Sequence, residues 1–347
     1  MLRDKWFRRG VQFLLVLVII YMVYKINFVF IPIVTILRAI FLPFIVSGVA
    51  YYLLRPIVRW LESKNIKRSV SIPFIYFVLA GMLTAGFFFL RPYLVGQFAT
   101  LAQRFPTQLT RMENYVSHLS PFADKVTHSF SNMVNQTGEK MKDQSSTILS
   151  EMIGVIFSVA TVPFILFYML RDESNFWQFI KYLIPRSKRE EVDSVLSEID
   201  ETIGDYIRGQ ITVSFIVGVL LYIGYLITGL DYAGILALIA MVTNFIPYIG
   251  PFIAAAPAVL IALSISPSLM VKVLVAYIIV HILEGNVITP HIMGRNLEIH
   301  PLTIIVILLF SGELAGVPGL IFGVPVYAIV KVIYSHIFEY LEPKLKS

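Results

Sequence analysis

Residues 244–251 read Asn244-Phe245-Ile246-Pro247-Tyr248-Ile249-Gly250-Pro251 and lie within an otherwise apolar run. A second interruption reads Gly312-Glu313-Leu314-Ala315-Gly316-Val317-Pro318-Gly319 and continues to Gly323-Val324-Pro325. Between them stands His281-Ile282-Leu283-Glu284-Gly285-Asn286-Val287-Ile288-Thr289-Pro290. In hydrocarbon every unpaired backbone polar group costs several kcal/mol, so helix breakers at membrane depth must face protein or a water-filled cavity. Paired interrupted segments are also the best sequence pointer to the binding site of a transporter. The pattern predicts a chain that moves something across a membrane.

Composition sets the frame. Of 347 residues, 57% are hydrophobic and 14% charged, against about 25% charged in an average soluble domain. Several apolar runs exceed the ~20 residues that span a bilayer core. The predicted fold class is therefore an all-α polytopic membrane protein with about eight hydrophobic segments. Some of these are interrupted or re-entrant helices, and a small helical extramembrane insert is added to them. Cysteine is absent, which excludes disulfides and thiolate metal sites. The net charge of +6 comes from lysines and arginines beside apolar runs. That placement signals orientation and contact with anionic lipid, not nucleic acid.

The chain divides by polarity. Residues 1–91 form N-terminal transmembrane helices. Arg3, Lys5, Arg8 and Arg9 resemble the start of a secretory signal, but the apolar run continues without a small-residue cleavage site, as an uncleaved first span does. Residues 11–54 are long enough for two crossings, with a turn near Asn27–Pro32, where Pro32 suits a helix start. Lys25 and Arg38 then lie near helix ends and snorkel to the headgroups. A third span covers 70–90. The basic loop with Arg55, Arg59, Lys64, Lys67 and Arg68 places itself and the N-terminus in the cytoplasm, and Lys331, Lys344 and Lys346 place the tail there too.

Residues 92–150 read as an extracytoplasmic helical insert, with Leu109, Met112, Val116 and Leu119 on one helical face and a sequon at Asn135-Gln136-Thr137. A transmembrane helix over 151–171, containing Pro163, returns the chain. Residues 172–208 read as a cytoplasmic amphipathic segment with Val192, Val195, Leu196, Ile199, Ile203 and Tyr206 along one face. The C-terminal transport core occupies 209–340. Asp231, the only charged residue between 210 and 265, is expected to cap an outer turn. The run 299–335 would make ~55 Å of helix, too long for one ordinary span, so two half-helices or a re-entrant pair are expected there.

Glu284 is the most informative side chain, because an ionisable residue within a span is costly and normally faces a bundle interior or an aqueous path. Asn286 and Asn244 offer amides to a polar substrate, or cap broken helices. Glu313 has three readings: an ion pair with Arg295, a helix cap, or a polar site shared with Glu284. The breaks themselves rest on Pro247, Gly250, Pro251, Pro290, Gly294, Gly312, Gly316, Pro318 and Pro325. His281, Glu284 and His291 do not form the His-Glu-x-x-His metalloprotease motif, so no metal site is expected. Neither a nucleophile elbow nor a phosphate-binding loop is present, so no catalytic residue is expected and no intrinsic ATPase.

The stretches Asn244–Pro251 and Glu284–Arg295, with His300-Pro301-Leu302, Gly312-Glu313, Gly316 and Gly323-Val324-Pro325, resemble the autoinducer-2 exporter family, a group of PerM-like permeases. The resemblance covers most of 205–335. It implies a prokaryotic cytoplasmic-membrane protein and a homo-oligomer, with a pentamer as the expected assembly. Members are linked to export of the signal autoinducer-2, and others to sodium or lithium/proton antiport. The leading expectation is a secondary permease that exports a small polar solute through the broken helices, with the lipid bilayer as its other partner. No cofactor is expected, although coupling to H+ or Na+ would fit. The alternatives are Na+(Li+)/H+ antiport of a monovalent cation, or a non-transporting membrane scaffold.

Overall fold

A computed structural model describes residues 27–116, 160–173, 189–294 and 299–345, with isolated positions at 14–25 and 182–186. Most of the expected first span, the insert beyond Val116 with its sequon, and Arg295 lie outside the described residues. What is described is helical, as the composition predicts. In chain order the helices are α1 (Asn27–Ser63), α2 (Arg68–Val116), α3 (Ala160–Arg171), α4 (Arg189–Thr228), α5 (Ala233–Thr243), α6 (Ile249–Ile265) and α7 (Pro267–Leu283). A π-helical turn, Glu284–Ile288, then leads to α8 (Thr289–Met293) and α9 (Pro301–Leu345). Among the described residues five helices are long and apolar enough to cross a membrane.

Two of these helices are longer than the sequence reading allowed. α2 passes through residue 91 without a break, so Leu109, Met112 and Val116 continue the spanning helix instead of opening a separate unit. Likewise α4 is one helix of 40 residues, which joins the amphipathic stretch from 189 onward directly to the span. α4 contains no proline to stop it, whereas α2 runs on through Pro92 and Pro106.

The bundle has two distinguishable ends. At one, the α1–α2 turn, Glu173 just beyond α3 and Asp200 in α4 meet in a cluster of ion pairs. From there α4 runs to the far end, and α2 packs against α5 and α6. α5 and α6 form a hairpin that opens at this far end and points its tip, residues 244–248, back into the bundle. Its core with α4 and α7 contains Val217, Leu221, Tyr225, Ala237, Ala240, Ala254, Ala258, Ile261 and Val273, all buried. The alanines let the helices approach closely, which is how helices associate where lipid removes the hydrophobic drive.

α9 is not one straight rod. Gly316 has φ 63° and ψ −140°, a conformation open essentially to glycine alone, and the chain reverses there. The reversal is proved by contact: a Cβ at Gly319 would lie 1.8 Å from the Ser311 carbonyl oxygen, and one at Gly323 would meet Ile307 at 3.2 Å. In a continuous helix residues 307 and 323 would be ~24 Å apart. Arms 301–315 and 317–345 are therefore antiparallel. Leu308 and Val324, one from each arm, pack with Tyr206, Ile207 and Ile246. His336, near the end of the second arm, lies 3.4 Å from Glu198 at the charged end. This hairpin therefore opens toward the charged end, opposite in sense to α5–α6.

Candidate functional site

The tip of the first hairpin explains its own sequence. Pro247 O accepts from Ile249 N–H at 2.6 Å across Tyr248, whose φ of 60° and ψ of −47° make a γ-turn of the strained kind. Gly250 follows because any Cβ there would fall 1.9 Å from the Thr243 carbonyl oxygen. Pro251 then stands in the first turn of α6, where a missing N–H costs nothing. The tip is thus built to reverse the chain in the smallest space, at the expense of one strained residue.

That reversal delivers Asn244, the C-cap of α5, to the π-helical turn. Its Nδ2 donates to Glu284 Oε1 at 2.8 Å, and Gln210 Nε2, from α4, donates to the Asn244 carbonyl at 2.7 Å. The second carboxylate oxygen, Glu284 Oε2, lies 2.5 Å from His281 Nδ1. The His281 ring packs on Tyr277, with centroids 4.3 Å apart, and the Tyr277 hydroxyl donates to the Pro251 carbonyl, closing the circuit back to the hairpin. His281 Nε2 is buried with no hydrogen-bond partner among the described residues. Only 16% of the Glu284 side chain is exposed.

The π-turn itself has a local cause. Thr289 N–H bonds back to the Glu284 carbonyl, five residues earlier, and Pro290 has no N–H to offer the carbonyl of Asn286. Widening the turn at Gly285 accommodates both, and π-turns of this kind occur frequently at functional sites. Its depth follows from α4: Gln210 lies ~15 Å along the helix from Asp200 in the charged cluster and ~27 Å from Thr228. The network therefore sits well inside the span.

Not every residue singled out in the sequence joins it. Asn286 is exposed and donates its amide to the Ile282 carbonyl at 2.9 Å, so it supports the turn rather than the network. Glu313 is exposed near the tip of the second hairpin, apart from Glu284. Asp231 is exposed in the α4–α5 turn, and Tyr232, which makes no side-chain capping bond, holds the N-cap position. His291 turns away from Glu284, with Nδ1 2.8 Å from the Val287 carbonyl. No cluster of three metal-ligating side chains occurs among the described residues. Gln210 and Tyr277 were missed. Gln210 carries no charge to draw attention, yet it is an amide at the start of a stretch with almost no other strongly polar group.

Beside the network an open cleft of about 480 Å³ separates α4 from α8, lined by Asp205, Arg208, Thr212, His291 and Gly294 among others. Arg208 and Asp205 pair across one helical turn at 2.8 Å. The arrangement provides charged and hydroxyl groups at the mouth of an apolar bundle, and a carboxylate–amide–imidazole network further in.

The charged end is organised differently. Glu173 receives Arg55 at 2.6 Å, Arg59 at 2.8 Å and Arg68 at 2.7 Å. Arg55 also pairs with Asp200 at 2.6 Å, and Arg68 with Glu62 at 2.8 Å. Burial alone would raise the Glu173 pKa, but the surrounding guanidiniums, Arg55 foremost, hold it below the ordinary carboxylate value. The arginines that oriented the sequence reading are thus also the ties between α1, α2, the end of α3 and α4.

Comparison with known proteins gives a consistent result. Residues 11–339 match the family described as AI-2E family transporter. The Bacillus subtilis (strain 168) protein YueF, provisionally named a transport protein, is 33% identical over 100% of this chain and 97% of its own length. YrrI of the same organism, similarly named, is 36% identical over 93% and 94%. PerM of Escherichia coli (strain K12), provisionally named a permease, is 25% identical over 84% and 85%.

Proposed function

This chain belongs to the AI-2E transporter family, and from that premise we propose that it is a secondary permease exporting a small polar solute past the Asn244–Glu284 network. The carrying observation is that network: a buried carboxylate held by an amide and an imidazole, at the tip of a re-entrant hairpin, deep in an apolar bundle. Buried polar groups in a membrane span mark substrate or ion pathways, and irregular backbone at that depth is tolerated where it lines a cavity. Glu284 and Asn244 together offer acceptors and donors suited to a polyhydroxylated molecule such as an autoinducer-2-like furanone.

By the positive-inside bias the end with Arg55, Arg59, Lys64, Lys67 and Arg68 faces the cytoplasm, and both termini lie there. The cleft at Asp205, Arg208 and His291 is then the cytoplasmic entrance. Without a phosphate-binding loop the driving force comes from the solute's own gradient or from an ion. The functional unit is proposed to be a homo-oligomer, of five subunits by resemblance to the family.

The test is reconstitution into liposomes loaded with autoinducer-2-like furanone. Release that depends on Glu284 and Asn244 is the expected result. A pH gradient dissipated by sodium or lithium, with no furanone release, would reassign the site to cation exchange. Absence of any flux would favour a scaffold.

A further inference from the structure

α5 is only 11 residues long, well below the length at which a helix is stable alone in water, so its ends decide its position. Its C-cap is Asn244 itself. Its start is poorly equipped: Tyr232 has φ 61° and ψ 24°, in the left-handed region, and provides no side-chain cap. The first helical bond runs from Leu236 N–H to the Tyr232 carbonyl at 3.0 Å, which leaves the amides of the first three residues without helical acceptors. The missing acceptor comes from another helix. Gln97 on α2 presents Oε1 to Ile235 N–H at 3.1 Å across a sequence separation of 138.

One turn earlier on α2, Tyr93 secures the same spot. Its ring occupies the space a side chain at 234 would need, since a Cβ on Gly234 would lie 2.7 Å from Tyr93 Cε1. Residues 93 and 97, spaced to lie on one face of α2, thus grip the α5 start from one side.

We propose that Gln97 is a positioning residue for the Asn244–Glu284 site, capping α5 from outside and thereby fixing where the hairpin tip meets the π-turn. This rests on reading that network as the functional site. The contact works through a rod of ~16 Å, with the cap at one end and Asn244 at the other. It also couples the outer part of α2, which runs on to Val116, to the site.

Hydrogen–deuterium exchange on the full-length chain in lipid nanodiscs tests this without a transported solute. Gln97→Leu removes the acceptor and should speed exchange over residues 233–243 by about tenfold, the scale of a lost cap, with a smaller rise over 244–248. Gln97→Glu, which keeps an acceptor oxygen, should restore the slow pattern. Gly234→Ala, by pressing on Tyr93, should reproduce the Gln97→Leu pattern by an independent route. A rise confined to the α5 start with 244–248 unchanged would overturn the positioning role. So would an equal rise throughout α4 and α7. Loss of furanone flux in wild-type protein would count against the transport reading alone, because exchange reports the cap whatever the solute.

Discussion

Glu173 and Glu284 are both largely withdrawn from solvent, and their surroundings differ in kind. Glu173 at the charged end keeps 9% of its side chain exposed and faces three guanidiniums. Glu284, with 16% exposed, faces one neutral amide and one imidazole. The first is over-compensated, so its charge is fixed and its partners are locked to it. The second has partners without a fixed positive charge like a guanidinium, one amide and one imidazole. Position in the chain reinforces the contrast: Glu173 joins the helix ends, whereas Glu284 lies where a hairpin tip meets a widened helical turn. On the proposed function, the contrast is between a structural lock and a solute site.

The comparison breaks first at the lock. Glu173→Ala leaves Arg55, 11% exposed, without one of its two carboxylates, and breaking a buried pair from one side costs about 3–5 kcal/mol. Thermal unfolding in detergent should show this as a large fall in Tm, while flux per folded molecule is retained. Next comes Glu284→Gln. An amide in place of one carboxylate oxygen sets a donor against Asn244 or His281, a mismatch of about 1–3 kcal/mol, so flux should fall roughly 10- to 100-fold with a smaller drop in Tm than Glu173→Ala gives. If it loses stability instead and keeps its flux, the two carboxylates are of one kind.

A smaller effect follows from pH. Because the folded pKa of Glu173 is lowered from its ordinary 4.5, its contribution to stability is fully present above that value and disappears as pH falls through the lowered folded value. An acid melt of wild-type protein should show this loss below pH 4.5, and Glu173→Gln should remove that part of the profile. Smallest of all is Tyr248→Gly. It relieves a strained γ-turn whose cost is about 1 kcal/mol, so the tip should become slightly more stable or unchanged. A marked drop in Tm would show that the exposed Tyr248 ring makes contacts worth more than its backbone strain.

Much of this was legible in the sequence, for a physical reason. Proline and glycine act locally, so Pro247, Gly250, Pro251 and Gly316 announced their reversals without any knowledge of neighbours. Glu284 stood out because an acid in an apolar run is costly wherever it points. What sequence could not give was partnership. Gln210, Tyr277 and Gln97 are ordinary until helices far apart in the chain bring them to a carbonyl, a ring or an unpaired amide. Asn286 and Glu313 looked equivalent to Asn244 by residue type, yet the π-turn and the second hairpin point them elsewhere. The arginines at 55, 59 and 68 spoke for orientation, while their role as ties appeared only once Glu173 and Asp200 were placed beside them. Continuity was also hidden: the change in composition near residue 91 occurs within one helix.

The most direct measurement uses the absence of cysteine from the natural chain. Asn244→Cys puts a single thiol at the hairpin tip, where it can be challenged with a membrane-impermeant methanethiosulfonate reagent in sealed proteoliposomes. If the tip lies on the solute path, the thiol should react from at least one side of the membrane, and autoinducer-2-like furanone should change the rate. No reaction from either side, with or without furanone, would mean that Asn244 and Glu284 are permanently packed and carry no solute.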